Sequence, residues 1–190
     1  MKNYNSMKNM MTLIIGGSGS GKSAYAENYA VSVSQRKKKY YIATMQIYDE
    51  EGREKVRRHR RLRSGRGFST IEQPVNIQDA AKMFEAGEKT ALLECVSNLA
   101  ANEMFSGDVP QTAENVADKI VRGIEELKEE LSDLVIVSNN VFEDGKVYDS
   151  TTMEYIRAMG DINSRLAAMA DEVVEVVAGI PLLIKAKQPD

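Results

Sequence analysis

Met11-Thr12-Leu13-Ile14-Ile15-Gly16-Gly17-Ser18-Gly19-Ser20-Gly21-Lys22-Ser23 is the stretch from which the fold is read. The apolar run Leu13-Ile14-Ile15 predicts a buried strand. It breaks into a turn holding Gly16, Gly17, Gly19 and Gly21, and Lys22-Ser23 then opens a stretch of helical spacing. Gly16-x-x-x-x-Gly21-Lys22-Ser23 fits the phosphate-cradling P-loop. Glycines let successive backbone N–H groups turn inward into an anion-binding nest, and the helix that follows points its positive end at the phosphates. Lys22 would reach the outer phosphates and Ser23 would hold Mg²⁺. The plainer alternative is a glycine-rich turn without a ligand. The strand before and the helix after favour the P-loop.

Composition bounds the rest. A chain of 190 residues suggests one domain, read here as residues 11–187 behind a loose extension at 1–10. With 43% hydrophobic and 28% charged residues it has the balance of a globular protein. No apolar run is long enough for a membrane span, and residues 1–10 lack the apolar core of a secretory signal. Cys95 is the only cysteine, which excludes an intrachain disulfide and fits a reducing, cytoplasmic setting. One His and one Cys do not make a structural zinc site. A net charge of −3 argues against a wholly basic nucleic-acid binder, so no nucleic-acid partner is expected.

Outward from the P-loop, helical spacing runs to about residue 35, and Arg36-Lys37-Lys38-Lys39 suits that helix's C-terminus. Tyr40-Tyr41-Ile42-Ala43-Thr44 predicts a second strand. Its end places Thr44 either at a ligand or as a hydroxyl capping the turn. Asp49-Glu50-Glu51 starts a helix that continues into residues 55–66, which hold seven basic residues and the chain's one histidine, His59. A solvated basic face, a nucleic-acid patch and a polyphosphate site with a nucleophilic His all fit that stretch. Residue patterning alone favours the first. The third is physically sound, because nearby cations disfavour imidazolium and stabilise a phosphate under attack.

Residues 69–72 read as a short strand or an extended link ahead of Pro74, and 77–86 as a short amphipathic helix. Thr90-Ala91-Leu92-Leu93-Glu94 is a strand ending in a carboxylate that either assists Mg²⁺ or simply opens a helix. Helices follow at 98–105 and 112–131, then a buried strand at 134–138. The polar stretch 139–150 is a substrate loop or an ordinary connection. Residues 151–170 form a helix whose stripe of Tyr155, Met159, Ile162, Leu166 and Met169 packs into the core. Glu172–Val177 and Leu182–Ile184 make a terminal hairpin about Gly179-Ile180-Pro181. The alternation predicts a three-layer α/β domain with a mostly parallel sheet and an antiparallel edge.

Taken together, these motifs resemble the bifunctional adenosylcobinamide kinase / adenosylcobinamide-phosphate guanylyltransferase family of cobalamin biosynthesis. The resemblance runs from about Thr12 to Lys185. It rests on the P-loop, on Tyr41-Ile42-Ala43-Thr44 and the acidic pair Asp49-Glu50, and on Val56-Arg57-Arg58-His59-Arg60. It continues through Thr70-Ile71-Glu72 with Pro74, Leu92-Leu93-Glu94-Cys95 leading to Asn102, then Gly160, Asn163, Leu166-Ala167, Ala170-Asp171-Glu172-Val173 and Gly179. It implies a P-loop fold like that of RecA, a homotrimer, and two reactions. The first is phosphorylation of adenosylcobinamide by ATP or GTP. The second is transfer of GMP from GTP to the adenosylcobinamide phosphate through a guanylyl group on His59. Lys22 would be catalytic beside His59. The nucleotide would touch Gly16, Gly17, Ser18, Gly19, Ser20, Gly21, Lys22 and Ser23, then Ala43, Thr44 and Met45, then Arg60, Arg61, Leu62 and Arg63, with Glu72 and Glu94. Ser23 and Glu94 would hold Mg²⁺.

The sequence departs from the family at four places. Asn139-Asn140-Val141-Phe142 stands for Asn-Glu-Val-Gly, and Phe142-Glu143-Asp144-Gly145 for a glycine-rich loop. Ile156-Arg157 stands for an Arg-Asp pair, and Phe68 for a Trp. These changes fall where the corrinoid or its hydroxyl would sit. The alternative function is a P-loop kinase or NTPase for another small molecule.

Overall fold

The computed structural model describes residues 9–46, 65–140, 146 and 148–186. The expected helix from Asp49 and the basic stretch with His59, Arg60, Arg61, Leu62 and Arg63 lie outside the described residues, as do residues 1–8 and 141–145.

In chain order the elements are β1 (Met10–Ile15), α1 (Lys22–Ser34), β2 (Lys38–Ala43), β3 (Phe68–Glu72), a 3-10 helix (Ile77–Met83) and β4 (Lys89–Glu94). Then come α2 (Val96–Phe105), α3 (Ala113–Glu129), β5 (Asp133–Val137), α4 (Ser150–Met169), β6 (Glu172–Val177) and β7 (Ile180–Lys185). The strands form one seven-stranded sheet in the order β3-β2-β4-β5-β1-β6-β7. All neighbours run parallel except the β6–β7 pair.

Period-two alternation sends the side chains of β1 into both layers. Met11 and Leu13 enter the larger core with α2, α3 and α4, while Ile14 enters a smaller core beneath α1. Burying each of these aliphatic side chains contributes about 2 kcal/mol. β5, in the middle, is buried along its whole length and reads as an unbroken apolar run after Asp133. Asp133 is kept at the buried strand start by Lys37 Nζ at 2.8 Å and Thr90 Oγ1 at 2.7 Å. On α3, Val116, Ile120, Ile124 and Leu127 face the core, and Thr112 caps the helix by accepting from Asn115 N.

Several local readings change. Met10 already belongs to β1, its N–H bonded to Ser132 O at 2.9 Å, so the strand takes in a residue that the sequence left in the extension. Residues 77–86 are not an amphipathic α-helix but the 3-10 helix ending at Met83. Ile77 and Ala80 are both buried, and a 3-10 helix stacks residues three apart on one side. The hairpin turns at Ala178-Gly179 rather than over Gly179-Ile180-Pro181, because Ile180 and Pro181 are already paired in β7. Pro181 is tolerated inside β7 because that strand is an edge. Residues 69–72 are a strand paired in parallel with β2, not a link.

Candidate nucleotide site

The parallel strands end together at one edge of the sheet. Ala43 lies in register with Glu72 on one side and Glu94 on the other; Glu94 pairs with Val137, and Val137 with Ile14. Three positions predicted from sequence, Ala43, Glu72 and Glu94, therefore share one row across β3, β2 and β4. The P-loop leaves β1 at that same edge.

The loop returns on itself through Ser20 N to Gly17 O at 3.2 Å. Gly16 could be nothing larger: a Cβ there would sit 2.6 Å from Val176 O and 2.7 Å from Ser20 Oγ. Gly17, Ser18 and Gly19 are exposed, and Ser20 and Ser23 are half-buried. Gly21 is the N-cap of α1 and supplies no side-chain cap, whereas α4 is capped by Asp149, which accepts from Thr151 N and Thr152 N. The first-turn N–H groups of α1 are thus left without a side-chain acceptor. Ser20 Oγ is the buried side-chain oxygen without a hydrogen-bond partner among the described residues. Both features fit a bound polyanion.

Lys22 is buried and donates from Nζ to Gly17 O at 3.0 Å, which fixes its ammonium at the loop. Burial pulls its pKa below 10.5, while Cys95 and Glu94 nearby act the other way. Glu94 accepts a hydrogen bond from Tyr41 OH at 2.7 Å. Among the described residues no group of three or more His, Cys, Asp or Glu could hold a metal ion alone. One hydroxyl and one carboxylate, Ser23 and Glu94, match Mg²⁺ that takes its remaining oxygens from phosphates and water.

Thr44 is fully buried. Its hydroxyl donates to Cys95 O and accepts from Cys95 N, both at 2.8 Å, so it ties the end of β2 to the start of α2. Asn102 holds the same corner by donating to Thr44 O at 2.7 Å and Pro74 O at 2.9 Å. Met45 is half-buried beside it.

A polar network absent from the sequence reading lies between the start of α2, the end of β5 and α4. Asn139 donates to Ser97 Oγ at 2.6 Å and Tyr155 OH to Ser97 O at 3.0 Å. Ser138 donates to Asn163 Oδ1 at 2.6 Å, and Asn163 to Asn139 O at 3.1 Å. Asn140 joins this network to the P-loop: its N–H donates to Gly16 O at 3.2 Å and its side chain to Glu175 at 2.9 Å. Tyr155 packs against the core as its place in the apolar stripe implies, and its polar tip is used as well. Burial pushes its hydroxyl up to about 12, so it stays a donor. Asn139 heads the polar stretch already singled out after β5, and that was the available signal.

The chain as a whole is similar to known proteins. The model of a family described as cobinamide kinase / cobinamide phosphate guanyltransferase matches residues 12–184. The bifunctional adenosylcobalamin biosynthesis protein CobU of Escherichia coli (strain K12) is 31% identical over 185 residues, covering 93% of this chain and 100% of that protein. The protein of the same name from Salmonella typhimurium is 31% identical over 186 residues, at 93% and 100% coverage. Among solved structures, an ATPase domain superposes with a TM-score of 0.53 at 11% identity, covering 96% of this chain and 78% of that one. The last likeness concerns the fold alone and agrees with the P-loop NTPase architecture. Among the described residues no helix is long and apolar enough to cross a membrane.

Proposed function

The chain belongs to the cobinamide kinase / cobinamide phosphate guanyltransferase family, and from that premise we propose that it phosphorylates adenosylcobinamide and then guanylylates the product through His59. The observation that supports this most is the shared strand edge, where the P-loop with Lys22, the row Ala43-Glu72-Glu94 and the start of the segment leading to His59 converge. In the first reaction the substrate hydroxyl attacks the γ-phosphorus of ATP or GTP, and the bond to the β-phosphate oxygen breaks. Lys22 and the open N–H groups of α1 hold the charge that builds on the leaving phosphates.

In the second reaction a neutral imidazole nitrogen of His59 attacks the α-phosphorus of GTP. The α–β bond breaks and pyrophosphate leaves from the P-loop. The phosphate oxygen of the acceptor then attacks the same phosphorus, the P–N bond breaks, and His59 is released. Arg57, Arg58, Arg60, Arg61 and Arg63 around it in sequence favour the neutral nucleophile and neutralise the phosphate. Arg60, Arg61, Leu62, Arg63, Ala43, Thr44, Met45 and Glu72 would contact the guanylyl donor. Mg²⁺ on Ser23 and Glu94 would supply charge neutralisation for both polyphosphates.

The test is incubation with GTP alone. One GMP should add to each chain, stable to base and labile to acid as a phosphoramidate is. His59→Ala should abolish the label and spare phosphorylation of adenosylcobinamide. Labelling of that variant would move the nucleophile elsewhere, and labelling under full chelation would remove the metal from the scheme. Turnover of a different acceptor, with none of adenosylcobinamide, would favour a P-loop kinase for another small molecule.

A further inference from the structure

The P-loop lies between two unlike neighbours at the strand edge. On one side are β5 and β4, which bring Asn139, Cys95 and Glu94; on the other is the tip of the β6–β7 hairpin. Lys22 is within electrostatic reach of Glu94, so the outer phosphates of a kinase donor belong on the β4 side. A triphosphate anchored there and running along the N-terminus of α1 delivers its nucleoside to the opposite side, over the hairpin.

That tip is built against the loop. Gly179 N donates to Ser20 O at 2.8 Å, and a Cβ on Gly21 would come within 3.3 Å of Gly179 Cα. Val177 and Ile180 flank the turn as a cross-strand pair, 48% and 62% exposed, with Pro181 following. Val177 and Ile180 share one face of the hairpin, and Pro181, paired with Val176, lies on the other. The Val177 and Ile180 side chains have no charge and no hydrogen-bonding group, and large apolar side chains left open beside a polar loop mark a contact surface.

We propose that the hairpin tip Val177–Ile180 is the base platform of the phosphoryl donor. The purine rests there by apolar contact alone, which makes the platform indifferent to adenine or guanine. This rests on the P-loop reading above. The guanylyl donor has to present its α-phosphate to His59, in the segment between β2 and β3, so its nucleoside goes to the other side, over Ala43, Met45 and Glu72. One phosphate cradle thus serves two donors that leave it in opposite directions.

Val177→Asp and Ile180→Asp, at exposed positions, test the assignment, with Ile180→Leu as the conservative control. The KM of ATP and of GTP is measured in adenosylcobinamide phosphorylation, and the GTP dependence of self-labelling in the same preparations. Each Asp variant should raise both KM values about tenfold and leave the labelling curve in place, and Ile180→Leu should restore the KM. Unchanged KM values in the Asp variants, with Lys22→Ala strongly impaired, would overturn the platform and leave the P-loop standing. Equal damage to phosphorylation and labelling would make the tip a support for the loop and would also overturn it. If Lys22→Ala retained full ATP affinity, the P-loop reading would fall, and the platform with it.

Discussion

Lys22 sets the pH behaviour of the phosphate cradle. Buried and bonded to Gly17 O, it holds its proton less firmly than a free lysine, whose value is 10.5. A polyphosphate beside it favours the ammonium and raises that value again. Nucleotide binding on the alkaline side, below pH 10.5, should therefore take up a proton, and affinity should fall as pH rises through the free-state pKa. Calorimetry in buffers of different ionisation enthalpy would detect the uptake, and Lys22→Ala should abolish it. The same variant should lose about ten- to a hundredfold in affinity, the worth of one charge-assisted hydrogen bond. Lys22 and the loop glycines were legible because their spacing is itself the chemistry. Thr44 was ambiguous, since a hydroxyl at a strand end serves a ligand or a turn equally well. Only the fold, by putting Cys95 beside it, decides that its hydroxyl is spent on backbone.

At the level of elements, the contact of α3 with the 3-10 helix braces the corner that follows β3. Gly123 is buried there, and a Cβ would lie 2.8 Å from Ile77 Cγ2 and 2.9 Å from Gln78 Oε1. Gln78 can swing away, but Ile77 is 2% exposed and has nowhere to go. Gly123→Ala gains about 1 kcal/mol of helix propensity, while overpacking costs about 1–3 kcal/mol. The variant should melt lower, by thermal denaturation followed in circular dichroism. An unchanged or raised Tm would show that the interface yields. Most element types could be read locally, because apolar runs and helical spacing are local signals. The 3-10 helix could not: Ile77 and Ala80 fit both helix types, and packing onto α3 chooses between them. Strand order was equally hidden, because neighbours in a parallel sheet are set by crossover packing and not by any pattern within a strand.

For the whole molecule, the family resemblance implies a homotrimer. The exposed apolar run of β7, with Leu182, Leu183 and Ile184 beyond the hairpin tip, gives self-association a physical motive. Light scattering at working concentration should return three times the chain mass, and a monomer would contradict it. The sheet order has one more consequence, for the making of the protein. β1 is synthesised well before its partners β5 and β6, with Leu13 seated between Ile136 and Val173. An apolar strand thus waits unpaired until β5 and β6 have been translated. Such long-range closure folds slowly and leaves sticky surface open meanwhile. Truncations that stop before β6 should bring down chaperones rather than bind nucleotide, because the cradle exists only once β6 and its hairpin have arrived to hold it.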